Sequence, residues 1–202
     1  MGHFATLSID ENIATVTLDS KDDQVNILGP DSLTELDRLA EQLANTASLS
    51  GVILCSGKSG GFVAGADIDL IEEVTDPAIG EELATKGQVV FNKWAALSSP
   101  VIALLHGHCM EGGTELALAC DYRLAGLELK IGLPEVKLGI LPGFGGTQRL
   151  PLLVGLEAAL DMILSGRTLT ADQALASGLI DMATDKELLF DTPNDCCSTP
   201  NN

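Results

Sequence analysis

The chain has 202 residues and a formal net charge of −18 at pH 7. Its length fits a single domain with a substantial core. Proteins that bind nucleic acids present a basic surface, so the acidic balance excludes that class of function. Only 3% of the residues are aromatic, so the core has to depend on aliphatic side chains.

The sequence predicts neither a membrane-spanning protein nor one with a signal peptide. No segment approaches the length of a membrane span, and the N-terminus lacks the basic and apolar regions of a signal peptide. The five cysteines, an odd number with no CxxC pair, indicate reduced thiols and predict a cytoplasmic protein. Of these, Cys109 and Cys120 are interpreted as buried small side chains.

Alternating apolar residues predict two strands at residues 4–9 and 13–18, joined as a hairpin. A helix is expected to open near Pro30, because the leucines that follow recur on one helical face. Ser32 and Glu35 fit the spacing of a capping box at its start.

Buried strands are predicted farther along the chain and alternate with helices, and two of the strands end in a glycine-rich turn that opens a helix. This alternation is typical of an α/β fold, in which ligands bind near strand ends. The predicted strands are 52–55, 101–105, 122–125, 129–131 and 179–183, and the predicted helices are 67–73, 78–97, 114–119, 156–164 and 171–177. We expect a domain over residues 1–184 and a polar, disordered tail over residues 185–202.

Residues 60–68 and 106–117 each place small residues just before a predicted helix. Two free backbone N–H groups that converge from such turns could stabilise a negatively charged oxygen. Ordinary tight turns are the alternative, since glycine-rich loops are common.

Two glutamates lie among apolar neighbours. Glu115 lies on the first turn of a predicted apolar helix, and Glu135 follows Pro134. A carboxylate in apolar surroundings is costly unless it is paired or functional, and two such groups could share general acid/base work. Charge complementarity at a helix start for Glu115, and a solvated loop for Glu135, remain the alternatives.

Three motifs in this order resemble the crotonase (enoyl-CoA hydratase/isomerase) superfamily, in particular the N-terminal part of multifunctional fatty-acid β-oxidation α-subunits. Residues 23–28 resemble its N-x-L segment, residues 62–68 its F-x-A-G-A-D-I, and residues 141–150 its P-G-x-G-G-T-Q-R-L. The resemblance covers residues 4–183. It implies an α/β fold built as a spiral of ββα units.

The resemblance also implies the roles of individual residues. Glu115 and Glu135 correspond to the two catalytic glutamates, and the N–H groups of Ala66 and Gly112 to an oxyanion hole. The implied substrate-binding residues are Ala64, Asp67 and Ile68 along the path of coenzyme A, and Pro134 and Gly143 at the acyl pocket.

The implied function is the addition of water to trans-2-enoyl-CoA in fatty-acid β-oxidation, with Δ3-Δ2-enoyl-CoA isomerisation as a second activity. The alternatives are acyl-CoA hydrolysis and a non-catalytic acyl-CoA-binding or assembly subunit. No cofactor is expected, since coenzyme A is part of the substrate and no G-x-G-x-x-G fingerprint for NAD is present. No metal is expected either, because His106 and His108 lack further ligands at suitable spacing.

The acidic chain should repel coenzyme A, so its phosphates have to meet backbone donors or a few basic side chains such as Lys58 and Arg149. Solvated charge is the alternative for both side chains.

Two departures from the family pattern stand out. Glu111 occupies a position where the family has glycine, and we expect its side chain to point away from the pocket. The helical region that in the family covers the active site and joins subunits is expected to be missing or truncated. A homotrimer or a β-oxidation complex is the implied assembly, and we expect an exposed apolar surface.

Overall fold

Strands alternate between two sheets along the chain, and helices follow most pairs of strands. The computed structural model describes residues 4–21, 23–66 and 74–189. The predicted helix over residues 67–73, and with it Asp67 and Ile68, lies outside the described residues.

The larger sheet has six strands, and all neighbours except the first pair are parallel. The first pair is the predicted hairpin, in which Ala5 lies opposite Leu18. In spatial order the strands are β1 (Ala5–Asp10), β2 (Ile13–Leu18), β4 (Gly51–Ser56), β7 (Val101–Leu105), β9 (Tyr122–Gly126) and β12 (Met182–Thr184).

The smaller sheet takes one short strand from each turn of the chain. After β4, β7 and β9 the chain passes to β5, β8 and β10 respectively, and a helical segment follows each time, which confirms the predicted spiral of ββα units. Its order is β11 (Thr168–Thr170), β10 (Lys130–Gly132), β8 (His108–Met110) and β5 (Gly61–Val63), and a separate parallel pair joins β3 (Ile27–Leu28) to β6 (Gly65–Ala66).

The helices in the described part of the chain surround these sheets, and none of them is long and apolar enough to cross a membrane. They are α1 (Pro30–Ala44), α2 (Pro77–Ala95), α3 (Gly112–Leu118), a 3-10 helix (Glu135–Leu138), α4 (Gly146–Val154), α5 (Leu156–Ser165), α6 (Ala171–Ala176) and α7 (Lys186–Leu189).

Helix α1 begins where the sequence predicts, but the predicted capping box is wrong. Gly29 is the N-cap, and its N–H donates to Oγ of Ser32 at 2.7 Å. Glu35 instead accepts a hydrogen bond from the N–H of Phe4 at 2.6 Å. Pro30 starts the helix one turn earlier than Ser32 would, since proline suits the first helical position.

The core confirms the predicted aliphatic character. The leucines of the apolar face of α1 are buried, and the fully buried Trp94 of α2 donates from Nε1 to the carbonyl of Leu36 at 3.1 Å. Cys109 and Cys120 are buried free thiols, as predicted.

Asn26 connects three strands from within the core. Its Nδ2 donates to the carbonyls of Leu18 and Phe62 and to Oγ of Ser56, at 2.9–3.2 Å, and its Oδ1 accepts from the N–H of Ser20 at 3.0 Å. This one side chain therefore joins the ends of β2 and β4 to the middle of β5, beside the β3–β6 pair.

Residues 185–189 form the start of the predicted tail. The structure places α7 there, and Leu189 is buried against the outer face of the larger sheet. Residues 190–202 lie outside the described residues. The predicted domain boundary at residue 184 stays a prediction.

Candidate active site

A cavity of about 590 Å³ opens between helices α1 and α2 and the segment that precedes α4. This volume lies in the range of small-molecule sites. Its described wall is mostly apolar, and its charged side chains are the three glutamates 111, 115 and 135. The apolar part of the wall includes Leu28, Leu33, Ile79, Leu83, Ile140 and Phe144.

Glu115 is held in the wall by two backbone donors. It lies in the middle of α3 and is 2% exposed. Its Oε1 accepts hydrogen bonds from the N–H groups of Phe144 at 2.8 Å and Gly146 at 2.7 Å. Burial raises the pKa of Glu115 to about 7, and these two hydrogen bonds limit the rise because they favour the ionised form.

The segment that supplies these donors is itself braced. Arg149 Nη1 donates to the carbonyl of Phe144 at 3.0 Å, and its Nη2 donates to Asn92 on α2 at 2.5 Å. The ring of Phe144 meets that of Phe91 edge-on, with centroids 5.5 Å apart. The donors for Glu115 therefore have a fixed position relative to α2.

Glu135 begins the 3-10 helix and is 5% exposed. Neither of its carboxylate oxygens accepts a hydrogen bond from another residue in the described part of the chain. Burial raises the pKa of Glu135 to about 8, and the charges of Glu115 and Glu111 add to the rise. A buried carboxylate without such a donor is costly to ionise, and groups of this kind concentrate at functional sites.

Glu111 does not point away from the cavity, so that expectation is wrong. The side chain is 9% exposed and lines the cavity with the other two glutamates. Its backbone has φ 50° and ψ −125°, a conformation that favours glycine. The turn into α3 imposes this conformation, and it directs the side chain inward.

The two residues predicted to form an oxyanion hole both lie beside Leu28. Ala66 is the register partner of Leu28 in the β3–β6 pair. A Cβ atom on Gly112 would lie 3.0 Å from Cδ1 of Leu28 and 3.2 Å from Cδ2 of Phe144. The structure thus brings these two backbone positions to one side of the cavity; their role as donors stays a prediction.

Only some of the predicted substrate-binding residues that the structure describes line the cavity. Gly143 lines the cavity, whereas Ala64 and Pro134 are not among the described residues of its wall. Ala64 is exposed, and Pro134 caps the 3-10 helix that presents Glu135.

Lys58 and His106 have structural partners. Lys58 forms an ion pair with Asp19 at 2.8 Å, and Nε2 of the buried His106 lies 2.7 Å from the carbonyl oxygen of Lys58.

Three site residues were not assigned roles from the sequence: Glu111 as a wall residue, and Phe144 and Gly146 as donors. Gly145 is the N-cap of α4 and Gly146 its first residue, and α3 likewise begins at a glycine, Gly112. The same reasoning about small residues before a helix could have identified the donors. No local pattern indicates that they face Glu115, which lies 31 residues away from Gly146.

Comparison with known proteins agrees with the resemblance that the motifs predict. Residues 8–199 match the family model described as enoyl-CoA hydratase/isomerase. The chain is 44% identical to the fatty acid oxidation complex subunit alpha of Idiomarina loihiensis over 184 residues. The aligned segment covers 90% of this chain and 26% of that protein. The chain thus spans about a quarter of the length of the curated relatives that it matches.

Solved structures share the fold over nearly the whole chain. The enoyl-CoA hydratase of Bacillus anthracis superposes with a TM-score of 0.89 and 31% identity, covering 96% of this chain and 75% of that one. DspI of Pseudomonas aeruginosa superposes with a TM-score of 0.90 and 31% identity, covering 97% and 74%.

Proposed function

Because this chain belongs to the enoyl-CoA hydratase/isomerase family, we propose that it adds water to the double bond of trans-2-enoyl-CoA thioesters. The observation that carries the proposal is the presence of two buried carboxylates, Glu115 and Glu135, at one apolar cavity. An apolar cavity suits a fatty-acyl chain, and the two carboxylates supply the base and the acid that hydration needs.

The surroundings of the two carboxylates favour different roles. Glu115 has two backbone donors on Oε1, which favour its ionised form and limit the rise of its pKa, so we assign it as the general base. Glu135 has no donor from another described residue and a pKa of about 8, so it carries a proton at neutral pH and is the general acid. Environments that separate two pKa values in this way identify acid and base.

In the proposed reaction, Glu115 takes a proton from water while the hydroxyl oxygen bonds to Cβ of the substrate. The electron pair of the double bond moves toward the thioester oxygen, where the N–H groups of Ala66 and Gly112 stabilise the negative charge. Glu135 then gives its proton to Cα. One water molecule is added in total, and proton exchange with solvent returns both carboxylates to their starting states.

The same carboxylates could also move a proton from one carbon of the substrate to another. Isomerisation of a Δ3 to a Δ2 double bond is therefore a second proposed activity. The 44% identity to a fatty acid oxidation complex subunit alpha supports fatty-acid β-oxidation as the process.

Exposed leucines support the proposal that the chain assembles, either as a homotrimer or with a partner of a β-oxidation complex. On α4 and α5, Leu152, Leu156 and Leu164 are 85%, 65% and 61% exposed. Apolar residues clustered at a surface mark contact sites. The free thiols of the buried cysteines support a reducing, cytoplasmic location.

Hydration of short and long trans-2-enoyl-CoAs by the 202-residue chain tests the proposal. Glu135→Gln and Glu115→Gln should each lower kcat by roughly 10²–10⁴, the usual effect of losing one acid or base. Glu157→Gln, at an exposed glutamate on α5 away from the cavity, is the matched control and should retain the rate.

The products separate the alternatives. Free coenzyme A without a 3-hydroxyacyl product would favour hydrolysis, and binding of the thioester without turnover would favour a non-catalytic subunit. A Δ3-enoyl-CoA supplied alone tests the isomerase activity through formation of the conjugated thioester.

A further inference from the structure

The main chain of Glu111 is held in place on both sides. Its N–H donates to the carbonyl of Gly132 on β10 at 3.0 Å, and its carbonyl accepts from the N–H of Glu115 at 3.0 Å. With both peptide groups engaged, the positive φ of 50° cannot relax without breaking the start of α3.

This conformation lays the Glu111 side chain along Gly65. A Cβ atom on Gly65 would lie 3.3 Å from Cβ and 2.9 Å from Cδ of Glu111, and it would also collide with Oε2. The absence of a side chain at Gly65, where φ is 131°, therefore creates the space that the Glu111 carboxylate fills.

The position of this carboxylate relative to the proposed oxyanion hole follows from the chain. The two proposed donors are the N–H groups of Ala66 and Gly112, the residues that directly follow Gly65 and Glu111. A carboxylate in contact with Gly65 lies on the order of 5 Å from the nitrogen of Ala66, given standard backbone dimensions. The Glu111 carboxylate is thus a near neighbour of both donors.

We propose that the Glu111 carboxylate opposes the negative charge that the thioester oxygen gains, and so disfavours ligands and reaction intermediates that become anionic at this atom. The inference rests on the proposed function, since it assigns a specificity-determining role at the same oxyanion hole. The charge on the thioester oxygen lies one hydrogen bond beyond these nitrogens, so it is at most about 8 Å from the Glu111 carboxylate. In a partly buried site, repulsion at that distance is still strong enough to change a binding or rate constant by about tenfold or more.

A second observation agrees with the location of this charge. Glu111 adds to the rise that burial causes in the pKa values of both Glu115 and Glu135. Its charge therefore acts on both of the other cavity carboxylates, as expected for a carboxylate directed inward.

The test compares Glu111→Gln and Glu111→Gly with the unchanged chain and with Glu157→Gln. Glutamine keeps the length of the side chain and the strained backbone but removes the charge, whereas glycine removes both the charge and the strain. The probes are acetoacetyl-CoA, a β-keto thioester that can bind as its enolate, and butyryl-CoA, whose carbonyl stays neutral. Calorimetry gives the affinities, and near-ultraviolet absorbance gives the enolate fraction.

We expect both Glu111 variants to bind acetoacetyl-CoA at least about tenfold more tightly, with a larger enolate fraction and an affinity for butyryl-CoA changed less than threefold. Equal affinities for acetoacetyl-CoA in the unchanged chain and in Glu111→Gln would overturn the inference. A gain in Glu111→Gly alone would overturn it as well, because relief of strain would then be the cause. Should Glu111→Gly fail to fold, Glu111→Gln still decides.

This readout does not depend on turnover. A chain that binds acetoacetyl-CoA more tightly after the loss of Glu111, yet hydrates no enoyl-CoA, would support the inference and contradict the proposed hydratase activity. If the chain hydrates enoyl-CoA but the loss of Glu111 leaves the affinity for acetoacetyl-CoA unchanged, the hydratase activity would be supported and the inference contradicted.

Discussion

The N–H of Gly146 donates a 2.7 Å hydrogen bond to Oε1 of Glu115, and this contact joins the start of α4 to the middle of α3. Together with the N–H of Phe144 it holds one oxygen of a carboxylate that burial would otherwise keep protonated. The proposed assignment of Glu115 as base and Glu135 as acid depends on this contact, since Glu135 has no comparable donor among the described residues.

A narrow, bell-shaped pH dependence of kcat/KM for enoyl-CoA hydration is the first prediction. Glu115 must be ionised to act as base, so the rate should fall below its pKa of about 7. Glu135 must be protonated to act as acid, so the rate should fall above its pKa of about 8. Because the two groups are neighbours, the two limbs report pKa values of the pair. Initial rates from about pH 5 to about pH 10 give the profile. A flat profile across that range would contradict the assignment.

The second prediction concerns stability. In the unfolded chain Glu135 ionises near its ordinary pKa of about 4.3, but in the folded chain its pKa is raised to about 8. Below both values the carboxyl is neutral in either state, so its ionisation does not affect stability. As pH rises between them, the unfolded state loses its proton first, so the folded state becomes relatively less stable.

Glu135→Gln, which is neutral at every pH, should therefore raise the free energy of unfolding at about pH 8.5 by about 2–5 kcal/mol and change it little near pH 4. Urea unfolding at both pH values measures the difference, with Glu157→Gln as the control. A gain that is the same at both pH values would show that the ionisation of Glu135 is not its cause.

Gly87→Ala should lower the activity by displacing Phe144, whose N–H donates to Glu115. A Cβ atom on Gly87 would lie 2.5 Å from Cε1 and 2.6 Å from Cγ of Phe144, so the ring would have to move. The N–H of Phe144 would then shift away from Glu115, and misplacement by about 1 Å can cost roughly 10² in rate. We expect kcat to fall by about tenfold to a hundredfold.

Thr85→Ala is the matched control for Gly87→Ala, since Thr85 is exposed on the same helix. Kinetics and thermal unfolding are measured together for both variants. Unchanged kcat in a folded Gly87→Ala chain would show that the ring of Phe144 does not position Glu115.

Asn26→Asp should destabilise the fold by about 2–4 kcal/mol. The substitution keeps the size of the side chain, but it removes the donors to Leu18, Ser56 and Phe62 and places a charge against two carbonyls. Asn45→Asp, at an exposed helix end, is the control and should change stability by less than about 1 kcal/mol. Similar unfolding midpoints for the two variants would contradict the structural role of Asn26.

Elements with a strong local pattern could be predicted from the sequence. The alternation in β1 and β2 and the leucines of α1 identified a hairpin and a helix that the structure confirms. The short strands β3 and β8 were not among the predicted strands, although the equally short β10 was predicted within one residue. Three residues are too few to show a period, so a partner strand defines such elements.

The two glutamates were identified as candidates because a carboxylate in apolar company is conspicuous in any sequence. Their motifs and order were also enough to identify the family, which the comparisons confirm. The direction of the Glu111 side chain was predicted wrongly, because the expectation ignored the positive φ that the turn into α3 requires.

Local periodicity and composition, which act over a few residues, determined the strands of the large sheet, the long helices and the candidate carboxylates. Only the tertiary structure decided that Gly146 holds Glu115, that Glu135 is buried without such a donor, and that Glu111 lies along Gly65. The two contacts join residues 31 positions apart, Gly146 and Glu115, and 46 positions apart, Glu111 and Gly65. Folding brings such residues into contact, and burial then sets the protonation of the carboxylates.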